Sequence, residues 1–191
     1  MGSVTHIARS PIFWGEISPS EHAVHVYSDD EVFMDALEGF IGAGLRAGEA
    51  AIVIATPDHL LRLEERLDRH GFGMEAARRE GRYLGLPAER ILREFMVDGW
   101  PDEESFHRVI TTLLAKMRAN GRRVRAFGEM VALLWSQGNA AATVRLEHLW
   151  NKLCERERFP LFCAYPRAGF TTDPADSIRE LCAAHTRAFY V

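Results

Sequence analysis

Apolar residues recur along this chain at two spacings, and the alternation between them predicts the architecture. Residues 23–27 carry a short strand pattern, and residues 50–55 form an unbroken apolar run with β-branched members, as in a strand buried on both faces. Residues 82–86, 123–127 and 159–165 supply further strands, the last entered through Pro160. Between them the spacing turns helical. Ser28, Asp29, Asp30 and Glu31 have the form of a capping box ahead of Phe33, Leu37, Phe40, Ile41 and Gly44, with Gly48 just past the end. Pro57 opens a helix carrying Leu60, Leu61, Leu63 and Leu67 to about Gly71, and residues 87–95 form a short one. After a turn at 98–102, Asp102 caps a helix through Phe106, Val109, Ile110, Leu113, Leu114 and Met117 that stops at Gly121. Helices are also predicted from Glu129 to Gln137, from beyond the Gly138 and Asn139 break through Leu146, Leu149, Trp150 and Leu153, and from Asp173 and Pro174 to about His185. Strands alternating with helices predict a three-layer α/β domain with a mostly parallel sheet flanked by helices.

With 191 residues the chain suits a single domain over 21–191, preceded by an extension over residues 1–20 that Phe13 and Trp14 could anchor. The net charge of -4, from 23 basic and 27 acidic side chains, argues against an electrostatic nucleic-acid binder. Arg62, Arg66 and Arg69 share a helix face with interleaved Glu64, Glu65 and Asp68, which reads as a solvated surface. No apolar run approaches the roughly 20 residues of a membrane span, and the N-terminus lacks the order of a signal peptide, so a cytoplasmic location is expected. Cys154, Cys163 and Cys182 are too scattered for a disulfide framework and are expected to be reduced thiols.

Candidate chemistry centres on the corner after residues 123–127, where Gly128 permits a turn and Glu129 opens a helix. In an open parallel sheet that corner lies at the carboxyl end of a strand, where ligands usually bind. Glu129 either contacts such a ligand or only complements the helix dipole, an effect of about 0.3–1 kcal/mol. Glu147 and Asn151 share a helix face and are expected to approach Glu129, as a ligand-binding floor or as a structural polar cluster. His22 and His25 should point to opposite faces of their strand, so His22 alone is a candidate, with a structural histidine as the alternative. Leu161, Cys163 and Tyr165 share a face; Cys163 is a packing residue or, near a cation, a reactive thiol. Cys163, Cys182 and His185 lack zinc-site spacing, so neither a metal nor a cofactor is expected. Trp100, Trp135 and Trp150 read as core residues.

With these residues placed, the chain resembles the sensory domain of methanogen and methylotroph regulators of the dichloromethane-responsive type, the MEDS domain. The resemblance covers roughly residues 22–185 and rests on five segments in order. These are 22–27 with Asp29 and Asp30, 44–49, 124–134, 146–151 and 161–166. It implies a RecA- and KaiC-like sheet and a role in signal input, since such domains occur alone or fused to histidine kinases and transcription regulators and were proposed to sense small hydrocarbon derivatives. A phosphate-binding loop would need a glycine-rich turn ending in Lys-Ser or Lys-Thr between first strand and first helix; Ser28, Asp29, Asp30 and Glu31 stand there instead, and their carboxylates would repel a triphosphate. The leading expectation is a non-enzymatic sensory or signal-relay module. Its pocket would lie along the carboxyl edge of the sheet and be lined by His22, Tyr27, Glu129, Glu147, Asn151, Cys163 and Tyr165. Its partners would be a small molecule and a separate kinase or transcription regulator, with no direct nucleic acid or membrane contact. The alternatives are an enzyme with Glu129 as general base and Cys163 as nucleophile, and an interaction scaffold without a ligand.

Overall fold

The computed structural model describes Trp14, residues 17–169 and residues 185–190. Most of the expected 1–20 extension, Cys182 and the expected helix from Asp173 lie outside the described residues. The strands are β1 (His22–Tyr27), β2 (Ala50–Ala55), β3 (Tyr83–Pro87), β4 (Met96–Val97), β5 (Trp100–Pro101), β6 (Val124–Gly128), β7 (Leu161–Pro166) and β8 (Arg187–Tyr190). The α-helices are α1 (Asp30–Arg46), α2 (Pro57–Arg69), α3 (Met74–Arg79), α4 (Ala88–Arg93), α5 (Glu103–Met117), α6 (Met130–Ser136) and α7 (Ala140–Glu157). The main sheet is six-stranded, in the order β3-β2-β6-β7-β1-β8, and every pairing in it is parallel. β4 and β5 form a small antiparallel hairpin whose turn residues Asp98 and Gly99 both take positive φ.

Side chains alternate across the sheet into two apolar layers. Ala51, Val53, Phe127, Phe162 and Ala164 pack with residues of α1, α2 and α3, whereas Ile52, Ile54, Ala126, Leu161, Cys163 and Tyr165 pack with α4, α5, α6 and α7. Helices therefore cover both faces. The expected face of α1 is buried throughout, but the cap is Asp29, whose carboxylate accepts from the Glu31 N–H, in place of the Ser28 box. On α2, Leu63 and Leu67 turn inward while Leu61 points to solvent, because residues three and four apart share a helix face and Leu61 falls outside that stripe. Trp150 is buried, Trp135 lies at the edge of the core and Trp100 is largely exposed, so the expectation of three core tryptophans holds for the first two. β8 adds an edge strand beside β1 that its short sequence did not announce.

A buried ion pair ties the two helical layers' sheet to α1. Arg125 on β6 is 3% exposed; its Nε donates to Glu49 Oε2 at 2.6 Å, its Nη1 donates to the Phe40 carbonyl at 2.5 Å, and its guanidinium lies over the Phe40 ring. A Cβ on Gly44 would overlap the Arg125 side chain, so that position needs glycine for space. Breaking such a pair leaves an uncompensated buried charge. Glu49→Ala is therefore expected to lower unfolding stability by about 3–5 kcal/mol, read from urea denaturation midpoints at constant m-value.

Candidate functional site

The structure sorts the expected site residues into two separate clusters. The first lies at the carboxyl edge. Glu129 precedes α6 but makes no side-chain cap on it; its Oε2 instead accepts from the Thr56 N–H at 2.8 Å, and its Oε1 faces His59 Nδ1 at 2.8 Å. His59 Nε2 reaches Asp30 Oδ1 at 3.2 Å, so one imidazole bridges two carboxylates. Serving both acceptors requires both ring nitrogens to carry protons. Burial works against that charge, but the hydrogen bond and charge of Glu129, followed by those of Asp30, raise the His59 pKa above its ordinary value. Arg62 completes the cluster by pairing with Asp30 and with Glu31, the latter at 2.6 Å. Tyr27, at the end of β1, stacks on Phe33, and burial, then Glu129 and Asp30, push its phenol pKa up.

Gly128 is not a required turn residue. It takes no positive φ, and a Cβ there would meet Trp150 at an ordinary 3.5 Å. The acidic turn is likewise committed: Asp29 caps α1, while Asp30 and Glu31 pair with Arg62 and Arg66 from α2.

The second cluster is buried beneath α7. Glu147 occupies a place in the inward stripe of that helix, with Thr143, Trp150 and Cys154 above and below it, and is 1% exposed. Its Oε1 accepts a hydrogen bond from the Tyr165 hydroxyl. Its Oε2 faces His22 Nε2 at 3.4 Å, His185 Nε2 at 3.4 Å and Cys163 Sγ at 3.9 Å. His22 Nε2 lies 3.4 Å from Cys163 Sγ, and the two imidazole rings are 4.0 Å apart at their centroids. One donor atom from each of His22, Glu147, Cys163 and His185 lies within 4.8 Å of all the others.

The pleat explains the convergence. His22 and Val24 on β1 face the α7 layer, as do Cys163 and Tyr165 on β7, and the register sets His22 opposite Leu161 and Val24 opposite Cys163. His25 points the other way, 6.5 Å from the Phe162 ring, and burial pushes its pKa down to about 4. Burial, then the neighbouring His185, pushes His22 down to about 3, although Glu147 and Asn151 favour its charged form. Burial opposes ionisation of Glu147 too, yet the two imidazoles and the Tyr165 hydroxyl hold its carboxyl below the usual range. Cys163 is pushed well up by burial and by Glu147, which keeps it a thiol.

Glu129 and Glu147 thus do not share a hydrogen-bonded floor. Glu129 turns toward α2 on one side of the sheet, Glu147 toward β1 and β7 on the other, and His22 begins its strand at the amino edge, away from the carboxyl edge where it was expected. Asn151 borders the buried cluster, interacting with His22 and donating to Glu155 at 3.2 Å. His185, whose spacing from Cys163 and Cys182 matches no zinc pattern, joins the cluster from just before β8, where no local pattern marks it.

The fold and these clusters define a three-layer α/β domain with a donor-rich buried centre. The chain belongs to the MEDS family, the MEthanogen/methylotroph, DcmR Sensory domain, whose family profile matches residues 21–186. It is therefore a member of a sensory-domain family. No curated protein matches it in a sequence comparison. Among the described residues, no helix is long and apolar enough to cross a membrane.

Two predictions follow from the carboxyl edge. Because Asp29, Asp30 and Glu31 already hold the helix start and carry negative charge, calorimetry with MgATP is expected to give no binding heat at micromolar protein; micromolar affinity would defeat this assignment. A raised folded pKa at His59 contributes stability that is fully present below its unfolded value of about 6.5 and is lost as pH rises through the folded value. The stability difference between wild type and His59→Gln should accordingly be largest below about pH 6 and shrink as pH rises through the raised folded value. A difference that grows with pH in paired urea melts would show that the neutral ring is the favoured form.

Proposed function

We propose that this chain is a non-enzymatic sensory and signal-relay module whose input is a small molecule, a hydrocarbon derivative being the class the family suggests, received at the cluster beneath α7. The observation that carries this reading is Glu147, a carboxylate 1% exposed whose second oxygen faces three polar side chains at 3.4–3.9 Å. Burying a charge costs several kcal/mol, so an apolar residue at that place in the stripe would serve packing better. The cluster draws its members from α7, β1, β7 and the start of β8. A ligand that binds it more tightly in one arrangement of α7 or β8 than in another would shift the population of the two. The surface so altered would be read by a separate signalling protein such as a histidine kinase or transcription regulator.

The enzyme reading finds less support. Glu129 and Cys163 belong to different clusters, and a thiol whose pKa is raised is a poor nucleophile.

The test is a panel of small neutral hydrocarbon derivatives titrated into isotopically labelled protein, followed by amide chemical shifts. Saturable shifts are expected in α7 and β8, with affinity falling at least tenfold, or about 1.4 kcal/mol, in Glu147→Gln that retains a native circular dichroism spectrum. Shifts that persist unchanged in that variant would move the site elsewhere. A protein that answers no compound but binds a partner would be a scaffold.

A further inference from the structure

We infer that His22, Glu147, Cys163 and His185 form a four-coordinate site for a divalent first-row transition metal of the zinc class. The inference deepens the sensory reading of the same cluster and rests on it for its biological meaning, though not for its geometry. Zinc bonds nitrogen and carboxylate oxygen at about 2.0–2.2 Å and thiolate sulfur at about 2.3 Å, so the edges of its coordination tetrahedron run about 3.3–3.8 Å. Of the six donor separations, three are 3.4 Å, a fourth is 3.9 Å, and the remaining two lie within 4.8 Å, so small side-chain shifts would close the set on an ion. A cluster closed by its own nitrogen–oxygen hydrogen bonds would instead draw those pairs to about 2.7–3.2 Å. The carboxylate's other oxygen does make such a bond, to the Tyr165 hydroxyl. Tyr165 thereby fixes the carboxylate and leaves Oε2 aimed at the three remaining donors, as outer partners of metal ligands do.

Charge gives a second, independent argument. Two neutral imidazoles, one carboxylate and one thiolate around a divalent cation sum to zero, which suits a centre whose four side chains are almost wholly buried. Binding would displace the Cys163 thiol proton to solvent, since the metal is taken by the thiolate. The donors come from α7, β1, β7 and the residue before β8, so no short spacing in the sequence announces the set.

The experiment uses the full chain, stripped with a chelator and titrated with cobalt(II) alone, then with zinc(II). One equivalent of cobalt is expected to give the intense visible bands of four-coordinate cobalt together with an ultraviolet thiolate-to-cobalt charge-transfer band, and zinc should abolish both. Cys163→Ser should lose the charge-transfer band, and His22→Gln should weaken cobalt binding at least tenfold. Wild-type titration stands without the variants if either fails to fold. Cobalt spectra of the weak octahedral kind, or a charge-transfer band that survives in Cys163→Ser, would overturn the site and leave the cluster as internal packing. Metal failure with a Glu147-dependent response to hydrocarbon derivatives would refute the metal site alone; stoichiometric tetrahedral metal with no such response would uphold it and refute the small-molecule reading.

Discussion

A parallel sheet covered by helices on both faces shuts water away from the side chains between the layers; a neutral ring such as His25 is buried there without a hydrogen-bond partner, but a charged group must be matched by another. Three polar groups on or beside the central strands meet this condition in three ways. Arg125 is neutralised by Glu49 and steadied by the Phe40 carbonyl, a closed pair with little left to bind. Glu129 is satisfied by one backbone N–H and by His59, near the protein surface. Glu147 has one oxygen satisfied by Tyr165 and the other held among donors at longer range. That difference in closure, more than burial itself, distinguishes the structural pair from the cluster proposed as a receiving centre.

The alternation of strands and helices was legible because each element repeats one signal over many residues. Helix α5 shows this plainly: Asp102 accepts from the Ser105 N–H at 2.9 Å, and Phe106, Ile110, Leu114 and Met117 all turn inward. Elements with little repetition were missed. α3 spans six residues behind a glycine cap without a side-chain bond, and the β4–β5 hairpin pairs two residues with two. Strand parity was equally readable, and His22, Cys163 and Tyr165 fall on the face their spacing required.

The site was less legible because it depends on which face a side chain takes and on how far along the strand it stands. Glu129 and Glu147 were joined in the sequence reading by the rule that ligands gather at carboxyl edges. That rule fixes an edge but not a face. A stronger signal was present on α7, where Thr143, Glu147, Trp150 and Cys154 occupy one stripe; a carboxylate in an otherwise inward stripe must find partners inside. What the stripe could not supply was the identity of those partners, because His185 reaches the cluster from the far end of the chain.

The two clusters are joined through β1. β1 starts with His22 in the buried cluster and ends with Tyr27 beside Glu129 and Asp30, and its neighbour β7 carries Cys163 and Tyr165 to one side and Phe162 to the other. A sheet hydrogen-bonded on both sides of β1 and β7 resists deformation along its plane, so a change at Glu147 has two softer routes. One is α7, which holds to the sheet through side-chain packing; the other is β8, an edge strand paired on one side only. Signals from the buried cluster would therefore leave through the α7 face and the β8 edge, while the Glu129 and His59 corner, anchored by α1 and α2, keeps the opposite face fixed.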